Sequence, residues 1–340
     1  MVSSAKRLGF PFVLALLLLA ASRGAFAQSS LSAEDPAPPS PAQPPAASEA
    51  AVANTGPIQF DVGPQRPPLT DLTLGNFFSA GWNDDFAMRT RATGTPDLTL
   101  LRVQPNLLLQ LFRTNFFEQT SLASATRKDL TDVDGFIDWS FNRRCMLEVN
   151  DAYQWIDPRT GSPSASGGAP GILSRIQLVD TESSSYCFNF KALAPNTPLG
   201  TTQTTLTYSL AGFEDLGYWF QLERVGLYYS LTFDSFCGPV ARGTRQNDVQ
   251  YCVALAKTIT DTSTPNFLTL FVENFGQTDL DGTTAGRTLF SITPGVRLNF
   301  NKVGDIKLGG ANSLLFGTDI PVSEYRPWDA TYRLSYIKCF

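Results

Sequence analysis

The sequence predicts an all-β fold, an antiparallel transmembrane β-barrel of about twelve strands, with roughly ten to fourteen compatible with the pattern. Apolar and polar residues alternate with a period of two in segment after segment of the second half. No run of about 18 apolar residues follows the N-terminal one, so strands rather than helices would have to cross a membrane. The chain ends on a strand-like stretch closed by Phe340. A closed barrel satisfies every backbone group without water, so this fold can span lipid.

Residues 1–27 read as a cleavable signal peptide. Lys6 and Arg7 precede an apolar run over 8–21, and Ala25-Phe26-Ala27 forms the cleavage site before Gln28. Cleavage removes three of the 26 Lys and Arg residues and none of the 31 Asp and Glu residues, so the mature net charge is 23 − 31 = −8. An acidic, exported chain argues against a nucleic-acid partner.

Three further segments differ in composition. Residues 28–70 are rich in Pro and Ala and predict a disordered periplasmic linker, either a passive tether or a link to the cell wall. Residues 71–96 are aromatic and irregular, which fits a plug in the barrel mouth or a pre-barrel loop equally well. From residue 97 to 340 strand patterns are separated by turn residues, and we expect this part to form the barrel.

Strands are predicted in order along the barrel region. Residues 98–104 and 107–120 form two strands broken near Pro105-Asn106, or one bulged strand. Residues 133–141 and 144–156 flank Asn142-Arg143 and predict a tight hairpin. The remaining predicted strands cover residues 172–178, 186–190, 206–211, 224–234, 248–255, 267–275, 291–300, 306–316 and 329–340.

The last strand shows the two faces most clearly. One face carries Tyr332, Leu334, Tyr336 and Lys338, and the other carries Thr331, Arg333, Ser335, Ile337 and Cys339. In a membrane barrel one face meets lipid and the other a polar lumen. Lys338 is a charged residue on the face that is otherwise apolar and expected to meet lipid. Because it lies near the chain terminus, its long side chain can reach the membrane–water interface.

Tryptophan placement separates a membrane barrel from a soluble β-sandwich, which would also alternate. Trp155, Trp219 and Trp328 fall at predicted strand ends and Trp139 lies near one, as interfacial girdles require. Strand counting back from a periplasmic C-terminus puts the Gly/Ser-rich loop at 161–171 on the periplasmic side and the 142–143 turn outside. This conflicts with the usual rule that long loops face outward, so either one strand is miscounted or the barrel is irregular there.

The absence of His is the strongest chemical constraint. It removes the usual general base and the His-ligated metal sites, and no G-x-S-x-G motif is present. We therefore expect no enzyme, no catalytic residues, no metal and no cofactor. The acidic stretches at 132–135 and 279–282 lack the ligand spacing of a calcium loop.

Polar residues on the predicted inward face are the candidate site. They are Glu148, Asn150, Arg224, Asp234, Arg297, Asn299, Lys307 and Arg333. Charges in a lumen either set a solute preference or pair with one another and fill a narrow interior, and both alternatives remain open. Cys237 and Cys252 bracket a presumed loop, which is compatible with a disulfide between them. Strand alternation places the two residues on opposite faces, so the alternative is that both are free thiols.

Several segments carry a family resemblance over residues 71–340. They read LTLGNFFSAGWNDDF, TRATGTPDLTLLRV, SATRKDL, FNRRCMLEV, GFEDLGYW, VGLYYSLTFDSF and PGVRLNF, followed by the closing strand. Together they resemble the transporter-like barrels of the MetA-pathway of phenol degradation family.

The resemblance implies a bacterial outer-membrane channel for passive passage of small, often aromatic or hydrophobic, solutes. It brings no binding residues with it. Expected partners are outer-membrane lipid, the barrel-assembly machinery acting on the strand that ends at Phe340, and small solutes. The alternative is a closed structural or adhesion barrel whose Pro-rich leader reaches the cell wall.

Overall fold

The computed structural model describes residues 69–89, 91–122, 128–158, 164–167, 170–195, 203–238, 246–260, 267–303 and 306–340. The predicted signal peptide and nearly all of the predicted linker lie outside these residues. The described strands are β1 Leu111–Leu122, β2 Lys128–Ser140, β3 Cys145–Pro158, β4 Ser164–Gly167, β5 Gly171–Asp180, β6 Ser184–Leu193, β7 Thr204–Asp215, β8 Val225–Cys237, β9 Asn247–Thr258, β10 Phe267–Asp279, β11 Thr288–Val303, β12 Ile306–Pro321 and β13 Ala330–Cys339.

The strands close into one antiparallel barrel. Each full-length strand pairs with its neighbours along the chain, and β1 closes the ring by pairing with β13 from Leu111↔Cys339 to Thr120↔Ala330. The short β4 pairs only with the end of β3, so twelve of the thirteen described strands form the wall. The predicted fold class is confirmed, and so is the hairpin at 142–143, which joins β2 to β3.

Among the described residues, one short helix interrupts the strands. Helix α1, Leu216–Phe220, follows β7, and the Asp215 side chain caps it by accepting a hydrogen bond from the Gly217 amide. Across the described ranges, no helix has the length and apolar character needed to cross a membrane.

The predicted strand at 98–104 is wrong, and the barrel wall begins at Leu111 rather than near residue 97. Residues 91–110 contain no strand in the structure. Pro96 and Pro105 lack the N–H that a ladder needs. The amides of residues 101–103 bond to a side chain of β10 instead of a neighbouring strand. A locally apolar run therefore lies inside the barrel.

The predicted loop orientation is also wrong. We call the end where β13 finishes the C-terminal end of the barrel. The turn joining β2 and β3 lies at this end, because Leu111 pairs with both Asp138 and Cys339. The connection from Pro158 to Gly171 starts at the opposite end. Nine strands, β5 to β13, separate this connection from the C-terminus, and an odd number places the two at opposite ends. The prediction miscounted these strands by one, and the observed arrangement is the usual one, with the long loop away from the C-terminus.

The two faces of the wall have opposite character. Buried residues alternate with exposed ones along β10 to β13, and the inward set is rich in polar groups. The outward set includes large apolar side chains around the ring, among them Ile137, Val149, Ile172, Leu210, Leu255, Leu270, Val272, Leu298, Phe316 and Leu334. On β13 the predicted faces are confirmed, with Tyr332 and Leu334 exposed and Arg333, Ser335 and Ile337 buried.

Only some of the tryptophans lie where an interfacial girdle of aromatic residues would place them. Trp139 and Trp155 are exposed on the outward face near opposite ends of β2 and β3. Trp219 lies in α1 and donates to Glu214. Trp328 packs against the interior cluster instead of facing outward.

Glycine opposite tyrosine is a recurrent packing device on the outer face. Gly276 on β10 pairs with Tyr251 on β9, and an added Cβ at Gly276 would overlap the tyrosine ring. Gly276→Ala is therefore expected to destabilise the barrel by about 1–3 kcal/mol through overpacking. The measurement is the temperature at which heat-modifiable gel mobility is lost in detergent. The control is Gly135→Ala on β2, where an added Cβ meets Thr114 Oγ1 at 3.6 Å. Equal midpoints for the two variants would contradict the prediction.

Candidate functional site: the lumen and its inner segment

Residues 91–110, here called the inner segment, form a loop that enters and leaves the lumen at the C-terminal end. At its start, Thr93 and Thr95 donate to Asp215 at the end of β7, at 2.5 and 2.8 Å. At its apex, residues 101–103 lie beside Glu273, in the middle of β10. At its finish, the Phe340 amide donates to the Gln110 carbonyl. The barrel is therefore filled from one end to about half its depth.

Glu273 holds the apex. Its carboxylate accepts backbone hydrogen bonds from Leu101 at 3.2 Å, Arg102 at 2.8 Å and Val103 at 2.9 Å. The side chain is fully buried. Hydrogen bonds to an ionised acceptor are roughly twice as strong as neutral ones. A single wall residue thus fixes three successive amides that no strand satisfies.

The Arg102 side chain joins the apex to a second part of the wall. Its Nη1 lies 3.2 Å from Asp319 Oδ2, and its guanidinium lies 3.5 Å from the ring centroid of Phe275. Asp319 also accepts from Arg333 at 2.7 Å and from Thr293 at 2.5 Å, and it has no exposed surface. Burial, with the positive charge of Arg333, lowers the pKa of Arg102 to about 10. One carboxylate therefore serves two buried guanidinium groups.

Three arginines of the wall bind carbonyls of the inner segment. Arg297 on β11 donates to the Thr99 carbonyl at 2.6 Å, and Arg113 on β1 donates to the Leu100 carbonyl at 3.0 Å. Arg175 on β5 donates to the Leu107 carbonyl at 2.9 Å. Because these contacts use backbone atoms, they depend on the path of the segment more than on its side chains.

The two limbs of the loop meet at Asp97. Its carboxylate lies 2.5 Å from Arg91 Nη2, and Asn106 Nδ2 donates to both of its oxygens at 3.1 Å. Burial raises the pKa of the Asp97 carboxyl, and the Arg91 charge acts in the opposite direction. This contact closes the base of the loop.

The interior beside the loop is apolar. Inner-segment residues pack with one side of the wall in a buried cluster formed by Leu98, Leu100, Leu101, Val103, Leu107, Leu109, Leu111, Phe213, Tyr228, Cys252, Ala254, Ala256, Phe267, Phe271, Phe275, Leu289, Leu315 and Ile337. The wall members lie mainly on β7 to β12. Burial of this area stabilises the loop in the lumen at about 25 cal/mol per Å² of apolar surface.

Residues 69–89 cover the C-terminal end. Leu72 pairs with Asp180 across an isolated bridge. Arg144, in the turn between β2 and β3, is fully buried and donates to the carbonyls of Ala80, Thr73 and Asn76. For residues 71–96 the sequence predicted either a plug or a pre-barrel loop, and both alternatives stay predictions. In the structure the part of the chain inside the lumen is the inner segment, residues 91–110.

The structure places most predicted site residues on the inward face. Glu148, Asn150, Asp234, Arg297, Asn299 and Arg333 are all buried there. Arg224 does not belong with them, because it precedes β8 in a connection at the C-terminal end and donates to the Thr260 carbonyl. Lys307 lies in β12, but its side chain is outside the described residues.

The predicted disulfide is wrong. Cys237 and Cys252 are both free, with Cys237 exposed and Cys252 buried. Cys252 packs in the interior cluster, whereas Cys237 ends β8 opposite Thr204. The opposite directions required by strand alternation explain why they do not pair.

Sequence reasoning missed the residues that bind the inner segment. Glu273, Asp319, Arg113 and Arg175 were not candidates. Glu273 had a visible signal, since it is the only charged residue between Phe267 and Gln277 in its strand. The others needed knowledge of the inner segment, because their partners are remote in the chain.

Comparison with known proteins adds fold neighbours. No protein-family model matches the chain, and no curated protein matches it. Similar solved structures include an outer membrane channel of the COG4313 group from Pseudomonas putida F1, at 12% identity and TM-score 0.47 over 70% of this chain and 97% of that one. Others are the β domain of the Bordetella autotransporter BrkA, at 11% identity and TM-score 0.44 over 68% and 99%, and the KdgM porin, at 12% identity and TM-score 0.37 over 67% and 99%. At these values the neighbours assign neither function nor family, and the resemblance to the phenol-degradation family stays a prediction.

Proposed function

We propose that the protein is an outer-membrane channel for passive passage of small solutes, with a lumen narrowed by the inner segment. The observation that carries this is the path of that segment. It enters and leaves at one end and contributes no strand, so the wall closes without it. A closed wall with a separate loop inside it suits a channel whose width is set by that loop, the inner segment.

The outer surface supports the membrane location. Large apolar side chains are exposed around the ring while charged groups are buried inside, the reverse of a soluble protein. With the signal peptide expected at 1–27, this favours the bacterial outer membrane, with the C-terminal end periplasmic. Lipid would contact the outer face, and the assembly machinery would act on the strand ending at Phe340.

The residues beside the apex are the basis for the proposed solute class. A narrow cleft with room for about one water molecule is bordered by Arg102, Ser230, Gln250 and Phe275, among others. Its lining combines polar groups with the aromatic residues Tyr251 and Phe275. Among small solutes, the aromatic compounds implied by the family resemblance are the class that we propose. No covalent step is proposed, and selection rests on width and on the charge of the lining.

A closed structural or adhesion barrel is the second candidate. The apolar packing of the inner segment across the lumen favours it, since such packing excludes water. In that case the leader, if it binds the cell wall, would carry the function.

Single-channel recording separates the two. The refolded mature chain, Gln28 to Phe340, is expected to give small stepwise ohmic currents in a planar lipid bilayer. Heat-modifiable gel mobility serves as the control for folding. Folded protein without any current would favour the structural barrel and overturn the channel proposal.

A further inference from the structure

The connection between β7 and β8, at the C-terminal end of the barrel, carries an exposed group of large side chains. Helix α1 begins directly after Asp215, the last residue of β7, and β8 begins at Val225. Between them Tyr218 is 51% exposed, Phe220 58% and Leu222 47%. Three such side chains in one short connection form an apolar patch, and its position on the barrel decides what it contacts.

Glu214 shows on which side of the wall the helix lies. Phe213 packs in the interior cluster and Asp215 bonds to the inner segment, so Glu214, between them, points outward. Even so, Glu214 is only 7% exposed. A carboxylate on the outward face of a membrane wall is costly unless other groups bond to it.

Four side chains donate to the Glu214 carboxylate. Ser184 donates at 2.6 Å, Trp219 Nε1 at 3.0 Å and Tyr229 at 3.3 Å, and Tyr186 donates as well. These donors come from β6, from β8 and from α1. Because Glu214 points outward, its bond to the Trp219 indole places one side of α1 on the outward face of the wall.

The opposite side of α1 contacts the inner segment. The Asp215 carboxylate accepts from the Gly217 amide at 2.9 Å and also from the hydroxyl groups of Thr93 and Thr95. Gly217 is buried, and a Cβ added there would lie 2.7 Å from Thr93 Oγ1. Two successive carboxylates therefore hold α1 across the rim of the barrel, Asp215 on the lumen side and Glu214 on the outer side.

The backbone after α1 has an unusual conformation. Gln221 and Arg224 both have a positive φ, 58° and 57°. Residues other than glycine adopt this left-handed conformation at a cost, so it persists where surrounding contacts fix it. Here the Gln221 amide donates to the Gly217 carbonyl at 3.0 Å, and the Arg224 carbonyl accepts from the Thr258 amide of β9 at 3.1 Å. The exposed side chains that flank Gln221 are therefore presented by a fixed backbone.

The exposed patch of α1 is continuous with the outward face of the wall. Glu214 is one residue from the C-terminal-end limit of β7, as the exposed Trp139 is on β2. Tyr and Trp side chains suit the membrane–water interface because each has an apolar body and a polar tip. Lys257, exposed on β9 opposite Val225, adds a cation at the same edge, which suits lipid phosphate.

We propose that α1 is an interfacial anchor, which binds the phospholipid headgroup region at the C-terminal end and holds the start of the inner segment there. Tyr218, Phe220 and Leu222 enter the headgroup region, while Gly217 stays against Thr93. This rests on the membrane location of the barrel and not on conduction. Glu214 and Asp215 join the lipid-binding surface to the loop inside the lumen.

The first measurement is the fluorescence of Trp219 in phosphatidylcholine vesicles that contain the mature chain. Replacing the other four tryptophans with Phe leaves Trp219 as the only reporter. Lipids brominated next to the headgroup are expected to quench it roughly twofold more than lipids brominated at the chain end, and aqueous iodide to quench it least. If that variant does not fold, the difference between the wild type and Trp219→Phe gives the same quantity.

The second measurement is amide hydrogen exchange in the same vesicles. Replacing Tyr218, Phe220 and Leu222 together with Ser removes the apolar patch and leaves Glu214 and Asp215 in place. Exchange over residues 91–97 is expected to become about tenfold faster, because the start of the inner segment loses its anchor. The matched control is Val322→Ser, at a 51% exposed side chain in the connection between β12 and β13, which should leave this exchange unchanged.

Three results would overturn the anchor. Quenching of Trp219 by iodide and by neither lipid would show that α1 faces water. Stronger quenching by the lipid brominated at the chain end would place it below the headgroups. Unchanged exchange over residues 91–97 in the triple variant would show that lipid contact does not hold the inner segment. The channel proposal is tested separately, since a barrel that passes no current can still show the expected quenching.

Discussion

Replacing Glu273 with Gln is expected to release the apex of the inner segment from the wall. The carboxylate accepts three backbone amides, and the Gln side chain offers one carbonyl oxygen and brings donors of its own to the same amides. Loss of charge-assisted bonds and at least one unsatisfied buried amide together cost about 2–5 kcal/mol. The wall ladder of β10 is unchanged, so the barrel is expected to stay closed.

Trypsin measures the release. Arg102 is inside the lumen in the native protein, and cleavage after it is expected to be slow. In detergent, where both ends are accessible, the Glu273→Gln variant is expected to be cut after Arg102 faster than the wild type. Single-channel currents are expected to grow in the same variant, since the segment narrows the lumen. The matched control is Glu324→Gln, at an exposed carboxylate in the connection between β12 and β13. Unchanged cleavage and current in Glu273→Gln would show that other contacts hold the segment.

The wall was predictable from sequence because its signal is local. In β8, β9, β11 and β13 apolar residues, which face lipid, alternate with polar residues, which face the lumen. The predicted faces of β13 match the buried and exposed residues of that strand. Register errors are costly in such strands, since a slip by one residue exposes every polar side chain to lipid. The presence of a strand, and which of its residues face the lumen, can therefore be predicted from a short stretch of sequence.

The inner segment was not predictable for the opposite reason. Residues 98–103 are mostly apolar, with Thr99 and Arg102 among them, and judged alone the stretch suits a strand equally well. Their conformation is decided by Glu273, 170 residues from Val103 in the chain, and by arginines on three separate strands. The sequence predicted which charged side chains face the lumen, but not which groups they contact. Alternation gives the direction of a side chain and does not identify its partner.

Asp319→Asn is expected to destabilise the protein by about 3–5 kcal/mol, the usual cost of leaving a buried charge without its partner. Asp319 is fully buried and is the shared carboxylate of Arg102 and Arg333. The neutral Asn side chain has one acceptor oxygen and no negative charge, so it cannot balance the positive charges of both guanidinium groups. The stability is measured as the denaturant midpoint of the folded, fast-migrating gel form.

A double-mutant cycle assigns the loss to the inner segment. If the cost arises from stranding the Arg102 charge, Arg102→Met should recover part of it in the Asp319→Asn background, although it is destabilising alone. An interaction energy of about 1–3 kcal/mol is expected for residues in direct contact. Arg326→Met serves as the control, because Arg326 is exposed between β12 and β13 and donates to the Ser323 carbonyl. Additive losses for Asp319 and Arg102 would mean that Arg333 alone depends on the carboxylate, and the apex would then be held by Glu273 without help from this network.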